Sequence, residues 1–473
     1  MSSISADLCV IGAGSGGLSV AAGASQMGVP TVLIESHRMG GDCLNTGCVP
    51  SKSLLAAAAV AESARIGGRF GVTGPAPTVD WAQVNAHVQG VIGAIAPHDS
   101  VARFEGLGVT VLQARARFTG PRTVLAGETE VKARRFVITT GSRAAVPPIP
   151  GLDRVPFFTN ETLFENTAAI AHLIVIGAGP IGVEMAQAHR RLGAKVSLLD
   201  LGPMLPKDDP ELTAVVRATL SDDGVEILES IQVKEVSPAE NGVAVTILAD
   251  GATRQIAGSH LLVAAGRRPN VEDLGLEAAG IAWNKMGITV DRGLRTTNRR
   301  VYAIGDVAGG PQFTHLASYH AGIVLRNALF RLPAKADISA LPWVTYSDPE
   351  LAHVGLTEAE ARYRHGAVEV LRFSFAENDR AQAERRTEGL IKVTTTKRGK
   401  ILGASIVGLH AGELILPWVL ALQSGLKIKA MASVIAPYPT LSEVSKRVAG
   451  SFYTPTLFSE RTRKLVRLLR WLG

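Results

Sequence analysis

One construction, present twice, constrains this chain more than any other feature. Residues 7–35 read DLCVIGAGSGGLSVAAGASQMGVPTVLIE. An apolar run, Leu8–Ile11, leads into Gly12, Gly14 and Gly17 at GxGxxG spacing. An Ala- and Gly-rich helical stretch follows, and a second apolar run ends on Glu35, 18 residues past Gly17. The pattern recurs 165 residues further on as HLIVIGAGPIGVEMAQAHRRLGAKVSLLD, with Gly177, Gly179 and Gly182 and with Asp200 closing the next strand. Each glycine serves a physical need: a tight turn, close approach of backbone to a pyrophosphate, and contact between helix and sheet. The helix N-terminus receives the phosphates, and the acid receives a ribose hydroxyl. GxGxxG alone is a weak signal. Strand before, helix after and acid at the right distance make it a strong one, and two copies predict two dinucleotide sites on one chain.

The expected fold class is α/β, with two Rossmann-like dinucleotide-binding domains and a C-terminal α+β domain. Two more strands end on glycine. RFVITTG closes on Gly141 and LLVAAG closes on Gly266, each followed by a Pro-containing exit. VYAIGDVAGG, residues 301–310, sets Asp306 just past a third such strand. The PPIPG stretch at 147–151 marks a boundary. The predicted organisation is therefore 1–150 and 268–340 as the two parts of the first nucleotide domain, 151–267 as the second, and 341–473 as a separate domain. No run of about 18 uncharged apolar residues occurs, so no membrane span is expected.

The 473 residues carry a net charge of +7, a value that raises the question of nucleic acid. Yet +4 of it lies in the last 14 residues, ERTRKLVRLLRWLG, and aromatic residues are only 5%. The body has no basic stripe and few stacking platforms, so a nucleic-acid partner is not expected. In the tail, Leu465, Leu468, Leu469 and Leu472 line one helical face and Arg463, Arg467 and Arg470 the other. Docking of that face on the protein's own body is the favoured expectation, and peripheral contact with an anionic membrane the alternative.

Only three cysteines are present: Cys9, Cys43 and Cys48. That is too few for a secreted disulfide scaffold and fits a reducing, cytoplasmic compartment. Cys9 lies mid-strand as a small hydrophobe. Cys43 and Cys48 belong to GGDCLNTGCVPSK, residues 40–52, which runs through Lys52 into an Ala/Leu-rich helix. Two thiols this close beside a helix start can form a local redox pair, with thiolate favoured by the helix end and a nearby cation. Half of a metal site and two structural thiols are the other readings of the same residues. A zinc site would need four ligands, which nothing nearby supplies, so no metal is expected.

GGDCLNTGCVPSK, GAGSGG with Glu35, TTGSRA, GAGPIGVE, AAGRRPN, AIGDVAG, VTYSDPELAHVGLTEAEA and PYPTLSE together resemble the class I pyridine nucleotide–disulfide oxidoreductases, which include dihydrolipoyl dehydrogenase, glutathione reductase and mercuric reductase. The resemblance implies that FAD binds the first site, with Glu35 on the adenosine ribose and Asp306 on the ribityl chain. The nicotinamide cofactor would bind the second. Lys52 would sit by the flavin and pair with Glu184. Cys48 would be the flavin-side thiol and Cys43 the interchange thiol. Hydride from NAD(P)H would pass through FAD to the Cys43–Cys48 disulfide and on to a thiol or disulfide acceptor. Asp200, followed by Leu201-Gly202, favours NAD(H) over NADP(H), although Arg190 and Arg191 on the preceding helix are within reach of a phosphate. The protein would be a homodimer with its active site completed across the interface.

One departure stands out. Dihydrolipoyl dehydrogenases and glutathione reductases carry a His–Glu pair in HPTxxE near the C-terminus. Here the segment is APYPTLSE, with Tyr438 at the histidine position and Glu443 retained. Tyrosine, with an ordinary pKa near 10, is a poor base at neutral pH, which disfavours dithiol oxidation. Tyr438 is instead similar to mercuric reductase, but no cysteine follows Cys48 to receive a metal ion. His315 and His320, five residues apart, do not share a helix face and are read as structural or cofactor-adjacent. NDRA at 378–381 is read as a turn near the dimer interface. The alternatives are a flavin-only reductase of quinones or small oxidants, and a dihydrolipoyl dehydrogenase subunit of a larger complex.

Overall fold

A computed structural model describes residues 2–471. The chain forms two compact units, one of Met1–Leu201 with Ser230–Asp337, the other of Gly202–Glu229 with the chain from Ile338 onward. In the first unit, strand β1 (Ser2–Ile11) runs parallel between β2 (Thr31–Glu35) and strand Thr129–Ile138. Leu8, Cys9 and Val10 are fully buried there, so the apolar run is a strand covered on both faces, and Cys9 packs as a small hydrophobe. Complete burial of side chains such as Leu8, Val10 and Leu33 contributes roughly 1.5–3 kcal/mol each. The seven-stranded sheet continues outward through Thr110–Gln113 on one side and Thr123–Ala126 and Ala116–Gly120 on the other. Val301–Ala303 also pairs with Thr129–Ile138. Phe118 and Phe136 meet edge to face beneath it, 5.3 Å between centroids.

Helix α1 (Ser15–Gln26) follows β1 through the first glycine turn. Gly12 has φ +106°, and a Cβ there would lie 2.5 Å from the Thr139 carbonyl oxygen. A Cβ on Gly17 would lie 1.9 Å from the Gly12 carbonyl oxygen, so helix and strand can approach only without one. The second copy reproduces this. Strand His172–Ile176 lies parallel between Lys195–Leu199 and His260–Val263, and helix Pro180–Arg191 follows the turn. A Cβ on Gly182 would stand 1.8 Å from the Gly177 carbonyl oxygen. Short strands Ser142–Ala144 and Arg267–Pro269, which follow Gly141 and Gly266, pair antiparallel.

The second unit is built on a five-stranded antiparallel sheet in the order Pro342–Thr345, Glu350–Gly355, Ile401–Gly408, Leu390–Thr395, Glu369–Ser374. Trp418 is wholly buried and its indole N–H donates to Ser445 Oγ at 3.0 Å. Helix Pro210–Asp222 joins this unit through Lys392, whose buried ammonium meets Asp209, Glu211 and Glu358 at 2.8, 2.9 and 2.6 Å. A charge buried this deeply is tolerated only with such partners. The stretch at 378–381 is not a turn. Asn378 caps a short helix, Asp379–Ala383, by accepting from the Ala381 N–H, the N-cap role for which asparagine is favoured.

The tail forms helix Glu460–Leu469, capped by Ser459. Leu465, Leu468 and Leu469 are 53%, 64% and 51% exposed, so the apolar face stands open on the single protomer. Leu472 lies outside the described residues. Among the described residues no helix is long and apolar enough to cross a membrane.

Candidate active site

Helix α2 (Gly41–Asn45) carries Cys43, and helix α3 (Cys48–Ile66) opens on Cys48. Both cysteines are free thiols, Cys43 half-buried and Cys48 exposed, and each acts on the other's ionisation. Cys48 Sγ also meets Thr314 Oγ1 at 3.5 Å, from the start of helix Thr314–Ala328. The Cys43 hydrogen bond draws the Cys48 thiol down to about 6, helped by Thr314 and by the Lys52 charge, against burial and the Asp42 charge. Cys43 moves the opposite way, upward, because its proton is held in the bond to Cys48 and burial opposes its charge. The two thiols are thus pushed apart, Cys48 toward the thiolate and Cys43 toward the protonated form.

One turn into α3, Lys52 Nζ lies 2.7 Å from Glu184 Oε2, so the cysteine helix is joined to the helix of the second glycine loop at this pair. Glu184 is buried and Lys52 partly exposed. The carboxylate fixes the ammonium close to the thiols, where it favours negative charge.

The glycine loops fit dinucleotides. A Cβ on Gly14 or Gly179 would meet nothing within 4 Å, which leaves open space at each helix N-terminus. Glu35 Oε2 accepts from the Ala13 N–H at 2.6 Å and Oε1 from the His37 N–H at 2.8 Å. Asp200 Oδ2 accepts from the Ala178 N–H at 2.6 Å, in the same relation to its own loop. Each carboxylate is thus aimed by backbone at its own glycine loop. Beyond the first loop, Asp306 Oδ2 accepts from Ser142 Oγ at 2.5 Å, and burial raises its pKa. His320 supports that turn. It is buried, which lowers its pKa to about 4, and its Nδ1 accepts from the Gly305 N–H at 3.3 Å. His320 is a structural histidine.

The fold gathers Cys43, Cys48, Lys52, Glu184, Gly12, Gly14, Gly17, Glu35, Gly141 and Asp306 in the first unit together with the second loop, Gly177, Gly179, Gly182, Asp200 and Gly266. Tyr438 and Glu443 belong to the second unit. Tyr438 is 68% exposed and its hydroxyl donates to Asp379 Oδ2 at 2.8 Å, which raises its pKa. Glu443 opens helix Glu443–Ser451, with Arg447 Nη2 at 4.0 Å. Sequence reasoning did not anticipate Thr314, Asp379, Asp42 or Arg267. Asp42, immediately before Cys43, and Arg267, the first residue after Gly266, had positional signals; Thr314 had none.

Two family matches agree with this arrangement. Residues 6–321 match the pyridine nucleotide-disulphide oxidoreductase family, and residues 341–449 match its dimerisation domain. The chain is 33% identical over 449 residues to a mercuric reductase of Staphylococcus aureus, covering 94% of this chain and 82% of the relative. It is 34% identical over 459 residues to the dihydrolipoyl dehydrogenase of Geobacillus stearothermophilus, covering 94% and 96%. Among solved structures, the HOCl-induced flavoprotein disulfide reductase RclA from Escherichia coli superposes with a TM-score of 0.85 at 27% identity, covering 94% of this chain and 99% of that one. The dimerisation domain supports a homodimer. The chain belongs to the pyridine nucleotide–disulfide oxidoreductase family: it is an FAD-dependent oxidoreductase that uses a pyridine nucleotide.

Proposed function

We propose that this enzyme works in the reducing direction, taking electrons from NADH and delivering them through Cys43 and Cys48 to a disulfide or a related thiol-reactive acceptor. Bound FAD supplies the two-electron relay between nicotinamide and sulfur. Reduction breaks the Cys43–Cys48 bond, leaving a thiolate on Cys48 and a proton on Cys43. Lys52, held by Glu184, stabilises negative charge beside the pair. Cys43 then attacks the acceptor disulfide as its proton passes to the Cys48 thiolate, expelling one acceptor thiolate, which takes up that proton; Cys48 resolves the mixed disulfide, expels the second acceptor thiolate and restores the Cys43–Cys48 bond. Gly12, Gly14, Gly17, Glu35, Gly141 and Asp306 hold FAD. Gly177, Gly179, Gly182, Asp200 and Gly266 hold the nicotinamide cofactor, with Asp200 favouring NADH. The functional domains are 1–150 with 268–340 for FAD, 151–267 for the nucleotide, and 341–473 for dimerisation, and Tyr438 and Glu443 complete the partner's site.

The observation that carries the direction is Tyr438 bonded to Asp379, a position with no base of near-neutral pKa. Oxidation of a dithiol needs such a base for the incoming substrate thiol, whereas in the reducing direction the Cys48 thiolate is itself on hand to take the proton of the attacking Cys43. NADH-driven reduction of a set of disulfide and oxidant acceptors tests the reading. The Cys43→Ser variant should lose that turnover while NADH still bleaches its flavin. Full turnover in Cys43→Ser would favour flavin-only reduction of the acceptor. We place the enzyme in the cytoplasm, where the dithiol state is maintained. We further propose that the exposed basic tail helix touches anionic membrane surfaces, because Leu465, Leu468, Leu469 and Trp471 stand in solvent beside Arg463, Lys464, Arg467 and Arg470.

A further inference from the structure

The loop between the two cysteines is closed by a residue that the redox roles leave unexplained. Asp42 Oδ1 accepts from Thr46 Oγ1 at 2.8 Å and from Asn160 Nδ2 at 3.1 Å. Asn160 is buried, and the same amide reaches the Thr46 carbonyl at 3.3 Å. The other carboxylate oxygen, Oδ2, meets Arg267 Nη2 at 3.1 Å. That oxygen lies over Gly47, where a Cβ would stand only 2.9 Å from it, so the carboxylate spans the chain from Cys43 to Cys48. Arg267 in turn is largely buried. Its Nε donates to Ser142 Oγ at 2.8 Å and its Nη2 to the Ser142 carbonyl at 3.0 Å, and Ser142 donates to Asp306. A continuous chain of polar contacts thus runs from the cysteine loop to the carboxylate at the far side of the first nucleotide site.

We propose that Asp42 and Arg267 are positioning residues forming a charge-balanced clasp on the Cys43–Cys48 loop, which fixes the pair's geometry and sets how readily the reduced pair ionises. The inference rests on the redox reading of the two cysteines. Reduction takes two electrons from NADH, breaks the sulfur–sulfur bond and leaves one proton on Cys43 and one negative charge on Cys48. The groups that face this charge are Lys52 on α3, with Glu184 behind it, Thr314 on its helix, Asp42 on α2, and Arg267 and Asp306 on the flanking turns. Asp42 opposes the thiolate, and its charge raises both thiols. Arg267 offsets Asp42 and lets a carboxylate serve as a loop tie without suppressing the thiolate. Neutral groups could tie the loop but would leave Arg267 opposed only by Asp306 at 4.0 Å, and the thiolate would then be more stable and less reducing.

The test is the pH midpoint of Cys48 ionisation in the NADH-reduced holoenzyme without oxygen. It is read both from the thiolate–flavin charge-transfer absorbance and from the rate of alkylation by iodoacetamide. Asp42→Asn should lower the midpoint by about half to one pH unit, a threefold to tenfold change in ionisation constant. Asp42→Glu keeps the charge and should retain the wild-type midpoint. Arg267→Gln should raise it by a similar amount, and the double variant Asp42→Asn/Arg267→Gln should return close to wild type. A merely structural clasp would move both single variants the same way, or neither, and either outcome overturns the proposal. Asp42→Asn alone decides the matter if Arg267→Gln fails to retain FAD: an unchanged or raised midpoint refutes it. If the ionising signal persists in Cys48→Ser, the redox assignment fails instead.

Discussion

Substitution of Asp200 should change which nicotinamide cofactor the enzyme accepts. Asp200 Oδ2 is pinned by the Ala178 N–H at 2.6 Å, so the carboxylate cannot swing away from the loop it serves. A carboxylate at this place suits a ribose diol and opposes a 2′-phosphate. Two unit charges about 5 Å apart at an effective dielectric near 20 repel by about 3 kcal/mol. Loss of a hydrogen bond to a charged group adds roughly 1.5–3 kcal/mol, and solvent at this half-buried site removes part of the total. A net difference of about 3 kcal/mol corresponds to roughly a hundredfold in kcat/KM. Steady-state rates with NADH and NADPH against one acceptor measure it. Wild type should favour NADH by about two orders of magnitude, and Asp200→Ala should bring the ratio below about tenfold, chiefly by lost NADH efficiency and improved use of NADPH. Equal use of the two cofactors by wild type, or an unchanged ratio in Asp200→Ala, would refute the reasoning.

Two further outcomes are expected. Dihydrolipoamide oxidation at pH 7 should fall about 10²–10⁴-fold below what a His–Glu base would support, rising toward the pKa of the substrate thiol, and Tyr438→His should recover part of it while Tyr438→Phe changes little; rapid wild-type oxidation at pH 7 would show that another base serves. Removal of residues 460–473 should leave FAD content intact and abolish binding to phosphatidylserine vesicles. Each basic residue strengthens such binding roughly fivefold, so the tail's net +4 is worth roughly a thousandfold at low salt. Vesicle binding that survives truncation would place the contact elsewhere.

The two nucleotide loops were legible because their requirement is local and steric. Gly17 and Gly182 must lack side chains for helix and strand to meet, and Gly12 and Gly177 for the turn to pass the Thr139 and Ala264 carbonyls. Glu35 and Asp200 were legible because strand ends are fixed by the same pattern. Lys52 and Glu184 lie 132 residues apart, so only resemblance to a family suggested their pairing, and assembly of the two loop systems realises it. Thr314 reaches Cys48 across 266 residues with no sequence signal, because its helix is placed by packing of the whole unit. Asp379 was overlooked as the partner of Tyr438, since NDRA reads equally as a turn or as a capped helix start. The tail's leucine stripe was legible as amphipathic, but periodicity reports that a face is apolar and not what covers it.

The central claim is that Cys48 is the thiolate held against the flavin and Cys43 the thiol that meets the acceptor. Anaerobic addition of NADH to wild type, Cys43→Ser and Cys48→Ser tests it most directly. A group whose pKa is depressed is charged above that value, so in wild type the long-wavelength thiolate–flavin band should be present at pH 8 and fade as pH falls through about 6. At pH 8 Cys43→Ser should keep the band and Cys48→Ser should lack it. A band that survives in Cys48→Ser, or vanishes only in Cys43→Ser, would contradict the account.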